Sequence, residues 1–164
     1  MPENASNPEF RGLPLLNRFC VVVGMTKIAV EYRGDLRCEV EHVDSGTKIM
    51  TDAPVDNHGK GEFFSPTDLC VTALATCYAT LMGIQANILK LDISGTKIDS
   101  EKVMAQGGLR RIGKITMAIH IPHDVSEDNQ RRLEAAAKKC PVHQSLHPDI
   151  EIEVQFYWNK VCSE

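Results

Sequence analysis

Several features that define large protein classes are missing from this sequence. No basic start followed by a continuous apolar stretch marks a secretory signal. No uninterrupted apolar run approaches the roughly 20 residues that a membrane span needs. The formal net charge of −4 is opposite in sign to that of a nucleic-acid-binding or anionic-membrane-binding surface. We therefore expect a cytoplasmic protein with neither nucleic-acid nor membrane partners.

Common catalytic and metal-binding motifs are missing as well. The sequence has neither the G-x-S-x-G motif of serine hydrolases nor a glycine-rich phosphate-binding loop. It also lacks the C-x-x-C element that is common in structural zinc sites. These absences disfavour a serine hydrolase, a nucleotide-binding protein and an ordinary zinc-binding domain.

The composition is that of a globular protein with one core. The chain has 164 residues, of which 43% are hydrophobic and 24% charged, so it fits one domain and is short for two. Residues 1–24 are rich in Asn, Pro and Arg without a sustained period, whereas a strand pattern begins directly after Met25. We predict an N-terminal extension over residues 1–24, disordered or added by an upstream start, and one domain over residues 25–164.

The order of elements predicts an α+β fold. Two alternating segments flank Gly34-Asp35, which is a hairpin signal, and a third short strand follows. Ser65 and Asp68 form a capping-box pattern that starts a long helix. Two strands, a polar helix, a short segment opened by Pro141 and a last strand come next, which favours a largely antiparallel sheet. Apolar residues of the long helix recur every three or four positions and are predicted to share one face: Leu69, Ala73, Cys77, Leu81, Ile84 and Ile88.

Six cysteines are present, at positions 20, 38, 70, 77, 140 and 162. In a reducing compartment, cysteines tend to be buried, metal-bound or catalytic. Cys77 lies about eleven residues into the long helix, roughly 16 Å from its start, where the helix dipole does little for a thiolate. Cys140 precedes Pro141 and is a potential helix N-cap beside two lysines, so local chemistry makes it the better nucleophile. An inert role stays open for both thiols.

Two further interpretations stay open at this point. Cys140, His143 and His147 form C-x-x-H-x-x-x-H, a spacing that could place metal ligands on one side of a helix, although no second pair of ligands matches it. His58, in a glycine-rich loop, is either a site residue or an exposed loop histidine. The cysteines at positions 38 and 162 are expected to be packing or surface thiols.

Two separated motifs resemble those of one family. S-P-T-D-L-x7-C runs from Ser65 to Cys77, and C-P-V-H-x-S-L, from Cys140 to Leu146, starts 63 residues after Cys77. The pair resembles the OsmC/Ohr family, named for osmotically inducible protein C and organic hydroperoxide resistance protein. The resemblance covers about residues 26–158 and is closer to the broader OsmC-like branch. It implies an α+β fold with largely antiparallel sheets around a long central helix, and an intertwined homodimer with sites at the interface.

The resemblance also implies an activity, that of a thiol-dependent peroxidase reducing organic hydroperoxides. It makes Cys77 the peroxidatic and Cys140 the resolving cysteine, which reverses the ranking from local chemistry. Cys77 would become a sulfenic acid, Cys140 would condense with it to a disulfide, and a dithiol reductant such as a lipoylated protein would reopen that bond. No cofactor and no metal are expected. The alternative is a redox-sensing or small-molecule-binding protein without efficient turnover.

The family further uses an arginine of the first hairpin to stabilise the thiolate and orient the peroxide. The GDLR turn resembles the family's turn, so Arg37 is the first candidate and Arg33 the second. The Ohr branch has a glutamate after the motif proline, where this chain has Thr67. Asp68, Glu62 and, less directly, His58 are therefore the candidates for supporting roles.

Overall fold

The structure, a computed structural model, describes residues 25–159; the predicted extension, Cys20 and Cys162 lie outside the described residues. Within this range, six strands and three helices form an α+β fold, as predicted. In chain order they are β1 (Ile28–Gly34), β2 (Arg37–His42), β3 (Thr47–Asp52), a 3-10 turn (Val55–Asn57), α1 (Pro66–Leu89), β4 (Lys97–Met104), β5 (Ile112–Ile121), α2 (Glu127–Ala137), α3 (Pro141–Ser145) and β6 (Glu151–Trp158).

The N-terminal sheet consists of β1, β2 and β3, with antiparallel neighbours. The predicted hairpin is confirmed, because Gly34, Asp35 and Leu36 have positive φ angles of 86°, 49° and 62° that reverse the chain between β1 and β2. The register pairs Arg37 of β2 with Asp52 of β3. Since directly opposed residues point to the same face, a guanidinium and a carboxylate meet at this end of the sheet.

The C-terminal sheet has the order β4, β5, β6. β4 and β5 are antiparallel, whereas β6 runs parallel to β5 because α2 and α3 form the crossover between them. The strand pairs of the described chain are thus largely antiparallel, as predicted. Buried residues of β5 meet those of α1 in the core; they are Ile115, Met117, Ile119 and Ile121 on the strand, and Leu74, Tyr78 and Met82 on the helix.

α1 begins where the sequence predicts. The Ser65 hydroxyl accepts a hydrogen bond from the Asp68 amide at 3.2 Å, and the Asp68 carboxylate accepts one from the Ser65 amide at 2.7 Å. The predicted capping box is therefore confirmed. The helix ends at Leu89, after which Lys90 adopts a left-handed φ of 56° and closes the last turn.

The buried face of α1 differs from the predicted one. Its buried residues are Val71, Leu74, Tyr78, Met82 and Ala86. Of the residues predicted to share the face, Cys77 and Leu81 are half-buried, but Ile84 and Ile88 are 53% and 69% exposed. The prediction was wrong by about one position. Because the helix is apolar on nearly all sides, the spacing of its apolar residues is consistent with more than one buried face.

α1 is also long and apolar enough to cross a membrane, judged by length and composition only, although polar residues such as Asp68, Gln85 and Asn87 interrupt its apolar sequence. Core helices of soluble proteins meet the same criterion, which is weak evidence by itself. In this chain, the buried face of α1 packs against the C-terminal sheet and α2.

Other apolar side chains lie open on the surface of the single chain. Ile28, Val30 and Tyr32 alternate along β1, point to one face of the N-terminal sheet and are each more than half exposed. Ile84 and Ile88 are exposed on α1. Exposed apolar surface of this extent is typical of a surface that contacts a partner.

Candidate functional site

Cys77 and Cys140 form a disulfide. Their Cα atoms are 6.0 Å apart although 63 residues separate them in sequence, so the bond joins the middle of α1 to the start of α3. Cys140 is fully buried, whereas Cys77 is half-buried. The structure thus brings together the two cysteines that stand at the ends of the two sequence motifs.

The local sequence explains how Cys140 reaches this position. Pro141 opens α3 as its first residue, which leaves Cys140 as the N-cap, as predicted. The sulfur of Cys140 accepts a hydrogen bond from the amide of His143 at 3.4 Å. This hydrogen bond ties the sulfur of Cys140 to the first turn of α3.

A buried tyrosine next to Cys77 was missed by the sequence analysis. Tyr78 is 1% exposed, and its hydroxyl oxygen lies 2.7 Å from Nδ1 of His143. The two rings are stacked, with centroids 6.0 Å apart. Burial raises the pKa of Tyr78 above its ordinary value of 10.0, so this side chain stays a neutral phenol. The contact joins α1 to α3 beside the disulfide.

A second polar cluster surrounds Arg37 at the end of the N-terminal sheet. The guanidinium is paired with Glu62 and, at 3.4 Å, with Asp52. It also lies over the ring of Phe63, 5.3 Å from the centroid. The hydrogen bond to Glu62 outweighs desolvation and, with the charges of both carboxylates, raises the pKa of Arg37. We call Arg37, Asp52, Glu62 and Phe63 the arginine cluster.

Asp52 is the member of the arginine cluster that the sequence analysis missed. Its carboxylate is fully buried and accepts hydrogen bonds from the backbone amide of Glu62 at 3.1 Å and from Arg37. Burial opposes ionisation of Asp52, but these hydrogen bonds and the charge of Arg37 outweigh it and lower the pKa of the carboxyl group. Only the pairing of β2 with β3 could have linked this aspartate to Arg37.

The loop over residues 53–64 brings Glu62 back to the sheet. It is compact, because the amides of Gly59 and Gly61 donate to the carbonyl oxygens of Pro54 and Ala53 at 3.1 Å and 3.3 Å. A Cβ added at Gly59 would lie 1.7 Å from the Ala53 carbonyl oxygen, so only glycine fits there. The glycine-rich composition of this loop is thus required by close backbone packing.

The second candidate arginine has other partners. Arg33 pairs with Glu31 at 2.7 Å and with Glu39 at 3.1 Å on the polar face of the N-terminal sheet. His58 is exposed and ends the 3-10 turn with a left-handed φ of 66°. The structure therefore places Arg37, rather than Arg33 or His58, in the polar cluster.

The two candidate acids also take different places. Asp68 bonds to the Ser65 amide and pairs with Lys102 of β4 at 2.5 Å. Burial opposes its ionisation, but Lys102 and Ser65 outweigh that effect and lower the pKa of Asp68. Glu62 is the acid that contacts Arg37. Asp68 accordingly stabilises the start of α1 and its contact with β4.

An open groove of about 560 Å³ borders the arginine cluster, between the start of α1 and β4. Its lining combines apolar and charged side chains: Glu62, Phe63, Phe64, Asp68, Val71, Thr72, Ser100 and Lys102. The aromatic rings suit an apolar organic group, and the charges of the two acids exceed that of the one lysine.

A metal centre is not supported by the described structure. Among residues 25–159, no three His, Cys, Asp or Glu side chains are grouped so that they could hold a metal ion. The sulfur of Cys140 is in the disulfide, Nδ1 of His143 is bonded to Tyr78, and Nδ1 of His147 accepts from the Asp149 amide at 3.2 Å. Each residue of the C-x-x-H-x-x-x-H spacing thus has a contact within the protein.

Comparison with known proteins gives a relative of substantial identity. A structure from Psychrobacter arcticus 273-4, described as a candidate osmotic stress induced and detoxification response protein, is 43% identical, covers 84% of this chain and 100% of its own, and has a TM-score of 0.78. An organic hydroperoxide resistance protein OsmC from Legionella pneumophila is 17% identical, with coverages of 82% and 98% and a TM-score of 0.66. An organic hydroperoxide resistance protein from Elizabethkingia anophelis, with bound thiocyanate, is 15% identical, with coverages of 85% and 100% and a TM-score of 0.68.

The fold and the site define a class of α+β proteins in which a cysteine pair links a long central helix to the segment before the last strand. A sequence model of the family described as OsmC-like protein matches residues 59–155. With the 43% identity to the Psychrobacter protein, this match makes the assignment plain: the chain belongs to the OsmC-like protein family. The two structures of lower identity show the likeness of fold only. No curated protein matches the chain.

Proposed function

We propose that this protein is a thiol-dependent peroxidase that reduces organic hydroperoxides. The observation that carries the proposal is the disulfide between Cys77 and Cys140, which joins two thiols from separate elements. Membership in the OsmC-like family supports a redox role, and two structural relatives are described as organic hydroperoxide resistance proteins.

The proposed cycle has three balanced steps. The Cys77 thiolate attacks the terminal peroxide oxygen, the O–O bond breaks, and the leaving alkoxide takes a proton to become an alcohol. The Cys140 thiol then displaces hydroxide from the Cys77 sulfenic acid, which yields water and the disulfide. A dithiol reductant, for which a lipoylated protein is our proposal, reopens the bond by exchange and leaves as its own disulfide. Such a cycle fits the cytoplasm, where thiols are kept reduced.

We assign Arg37 to stabilise the Cys77 thiolate and orient the peroxide. Arginine suits this role because it stays charged and offers several donors. Within one chain, however, Glu62 of the arginine cluster precedes the start of α1, whereas Cys77 lies roughly 16 Å along that helix. We therefore place the site at the interface of a homodimer, where Arg37 of one chain serves Cys77 of its partner. The exposed apolar residues of β1 and α1 support such an interface.

Steady-state consumption of cumene hydroperoxide with a reduced lipoyl dithiol tests the proposal. The native protein should consume the peroxide, and Cys77→Ser should abolish turnover. Cys70, a free thiol on the same helix, offers a matched control, so Cys70→Ser should keep the native rate. Full activity in Cys77→Ser, or no activity in the native protein, would contradict the proposal.

One observation favours a second function, that of a redox sensor or small-molecule-binding protein without efficient turnover. Thr67 stands where the Ohr branch has glutamate, and Arg37 is already paired with two carboxylates. A less available guanidinium would leave the thiolate less activated. Reversible formation of the Cys77–Cys140 disulfide without catalytic consumption of hydroperoxide would support this function instead.

A further inference from the structure

The contact between Tyr78 and His143 has a geometry that no step of the proposed cycle uses. Tyr78 directly follows Cys77 on α1, and His143 lies three residues after Cys140 on α3. The hydroxyl–Nδ1 distance is 2.7 Å, and the phenol is almost completely buried. The hydrogen bond therefore joins two residues that lie close in sequence to the two disulfide cysteines, but it does not involve either sulfur atom.

His143 binds in two directions. Its ring pairs and stacks with Tyr78 of α1, while its backbone amide donates to the sulfur of Cys140 at 3.4 Å. Because one residue makes both contacts, the position of the histidine ring on α1 sets the position of the amide that holds the Cys140 sulfur.

α3 depends on such contacts for its position. It has only five residues, Pro141–Ser145, and none of them is fully buried. A helix of this length is not stable by itself, since its few internal hydrogen bonds do not offset the cost of nucleation. Once the disulfide is reduced, non-covalent contacts alone keep α3 against α1, and one of them is the hydrogen bond between the buried Tyr78 and the half-buried His143.

We propose that Tyr78 and His143 are positioning residues that hold the Cys140 thiol within reach of Cys77 in the reduced protein. The hydrogen bond raises the effective concentration of one thiol at the other and so favours the disulfide at equilibrium. This thermodynamic effect is independent of peroxide. Its consequence for turnover rests on the proposed function.

In turnover, the contact directs the fate of the Cys77 sulfenic acid. With Cys140 in place, the sulfenic acid condenses with the thiol, and one water leaves as the disulfide forms. If Cys140 is displaced, a second hydroperoxide oxidises the same sulfur to sulfinic acid and is itself reduced to the alcohol. Loss of the hydrogen bond should therefore increase the fraction of Cys77 found as sulfinic acid after exposure to excess peroxide.

The test measures the thiol–disulfide equilibrium between the protein and glutathione. Oxidised glutathione converts the thiols of Cys77 and Cys140 into the disulfide and is itself reduced to two molecules of glutathione. The measured constant is the effective concentration of the Cys77–Cys140 pair. Tyr78→Phe keeps the buried ring and removes the hydroxyl, so it should lower this constant roughly three- to tenfold, the range that one hydrogen bond sets. Tyr157→Phe, which removes a hydroxyl that contacts Gln155 on β6, is the matched control and should keep the native value.

A double-mutant cycle separates the hydrogen bond from general loosening. His143→Ala should lower the constant to a similar degree, and the double variant with Tyr78→Phe should be no lower than His143→Ala alone. His143→Asn, which keeps a polar group near the Nδ1 position, should recover part of the loss. Because His143 is only half-buried, its variants should fold even if Tyr78→Phe does not; thermal unfolding of the reduced proteins checks this.

An unchanged effective concentration in folded Tyr78→Phe or His143→Ala would overturn the inference, as would strictly additive effects in the cycle. The outcomes also separate the two proposals. If Tyr78→Phe lowers the constant while the native protein consumes no hydroperoxide, the positioning role stands and the peroxidase proposal fails. If the native protein turns over and the constant is unaffected, the positioning role alone fails.

Discussion

At the scale of single residues, the two carboxylates beside Arg37 have different roles. Asp52 is fully buried and fixed by the Glu62 amide, whereas the Glu62 side chain is 57% exposed. A buried and hydrogen-bonded carboxylate holds its partner in one geometry, while an exposed ion pair adds little stability. Asp52 therefore sets the position of Arg37, and Glu62 forms a second, more exposed ion pair with the same guanidinium.

Replacement of Asp52 should change how the stability of the protein depends on pH. Its pKa is lower in the folded protein than the ordinary value of 3.8, so its ionised form stabilises the fold above that value and the stabilisation is lost as the pH falls through the lower, folded pKa. Thermal unfolding of Asp52→Asn should therefore show a lower Tm than native protein at neutral pH and a smaller loss in acid. Asp44→Asn, in an exposed turn, is the control; an unchanged acid loss in Asp52→Asn would contradict the assignment.

The resolving cysteine gives a second prediction at this scale. Without Cys140, the Cys77 sulfenic acid has no internal thiol with which to condense. Cys140→Ser should thus reduce one equivalent of cumene hydroperoxide per chain and then stop, and a sulfenic-acid trap should label Cys77. If this variant instead forms a disulfide between Cys77 and Cys70 at the native rate, Cys140 is not the resolving cysteine.

At the scale of elements, both ends of the disulfide depend on how helices begin. α1 begins at a capping box, and α3 begins at a proline that follows the N-cap cysteine. Such signals are local in sequence, which is why the starts of both helices were predicted correctly. The buried face of α1, in contrast, is determined by the elements that pack against it. Because α1 is apolar on nearly all sides, its own sequence does not show which side is buried.

The capping box offers a matched pair of variants. Ser65 makes the side-chain hydrogen bond at the start of α1, whereas Ser126, the N-cap of α2, makes none. Ser65→Ala should lower the free energy of unfolding by about 1 kcal/mol, and Ser126→Ala should change it by much less. Urea unfolding measures both. Equal losses in the two variants would show that the cap does not stabilise α1 as described.

The contacts that sequence analysis missed are all between distant parts of the chain. Asp52 joins Arg37 through strand register, and Tyr78 joins His143 across 65 residues. Neither contact has a local motif, because each partner is ordinary in its own segment: an aspartate at a strand end and a tyrosine in an apolar helix. The cysteines were singled out because both stand in motifs that the family shares.

At the scale of the whole molecule, the single chain leaves apolar faces uncovered on β1 and on α1. Burial of these faces against a second copy would remove them from water, which is the main driving force of association. The proposed homodimer would also bring Arg37 of one chain to Cys77 of its partner. Assembly and chemistry are thus linked in this account.

Sedimentation tests the assembly. The native protein should sediment at twice the 18.2 kDa mass of one chain. Val30→Glu, which puts a charge on the exposed apolar face of β1, should shift the protein towards monomers and lower its peroxidase activity. Ala29→Glu, on the opposite face of the same strand, should remain dimeric. A native monomer with full activity would contradict an interfacial site.

The central claim, that the Cys77–Cys140 pair reduces organic hydroperoxides, is tested most directly by one single-turnover measurement. Fully reduced protein is mixed with cumene hydroperoxide or hydrogen peroxide in a stopped-flow instrument, and mass spectrometry follows the Cys77–Cys140 bond in the same samples. We predict rapid formation of this disulfide, with cumene hydroperoxide reacting faster than hydrogen peroxide. Slow oxidation without preference between the two peroxides would contradict the peroxidase and favour the redox sensor.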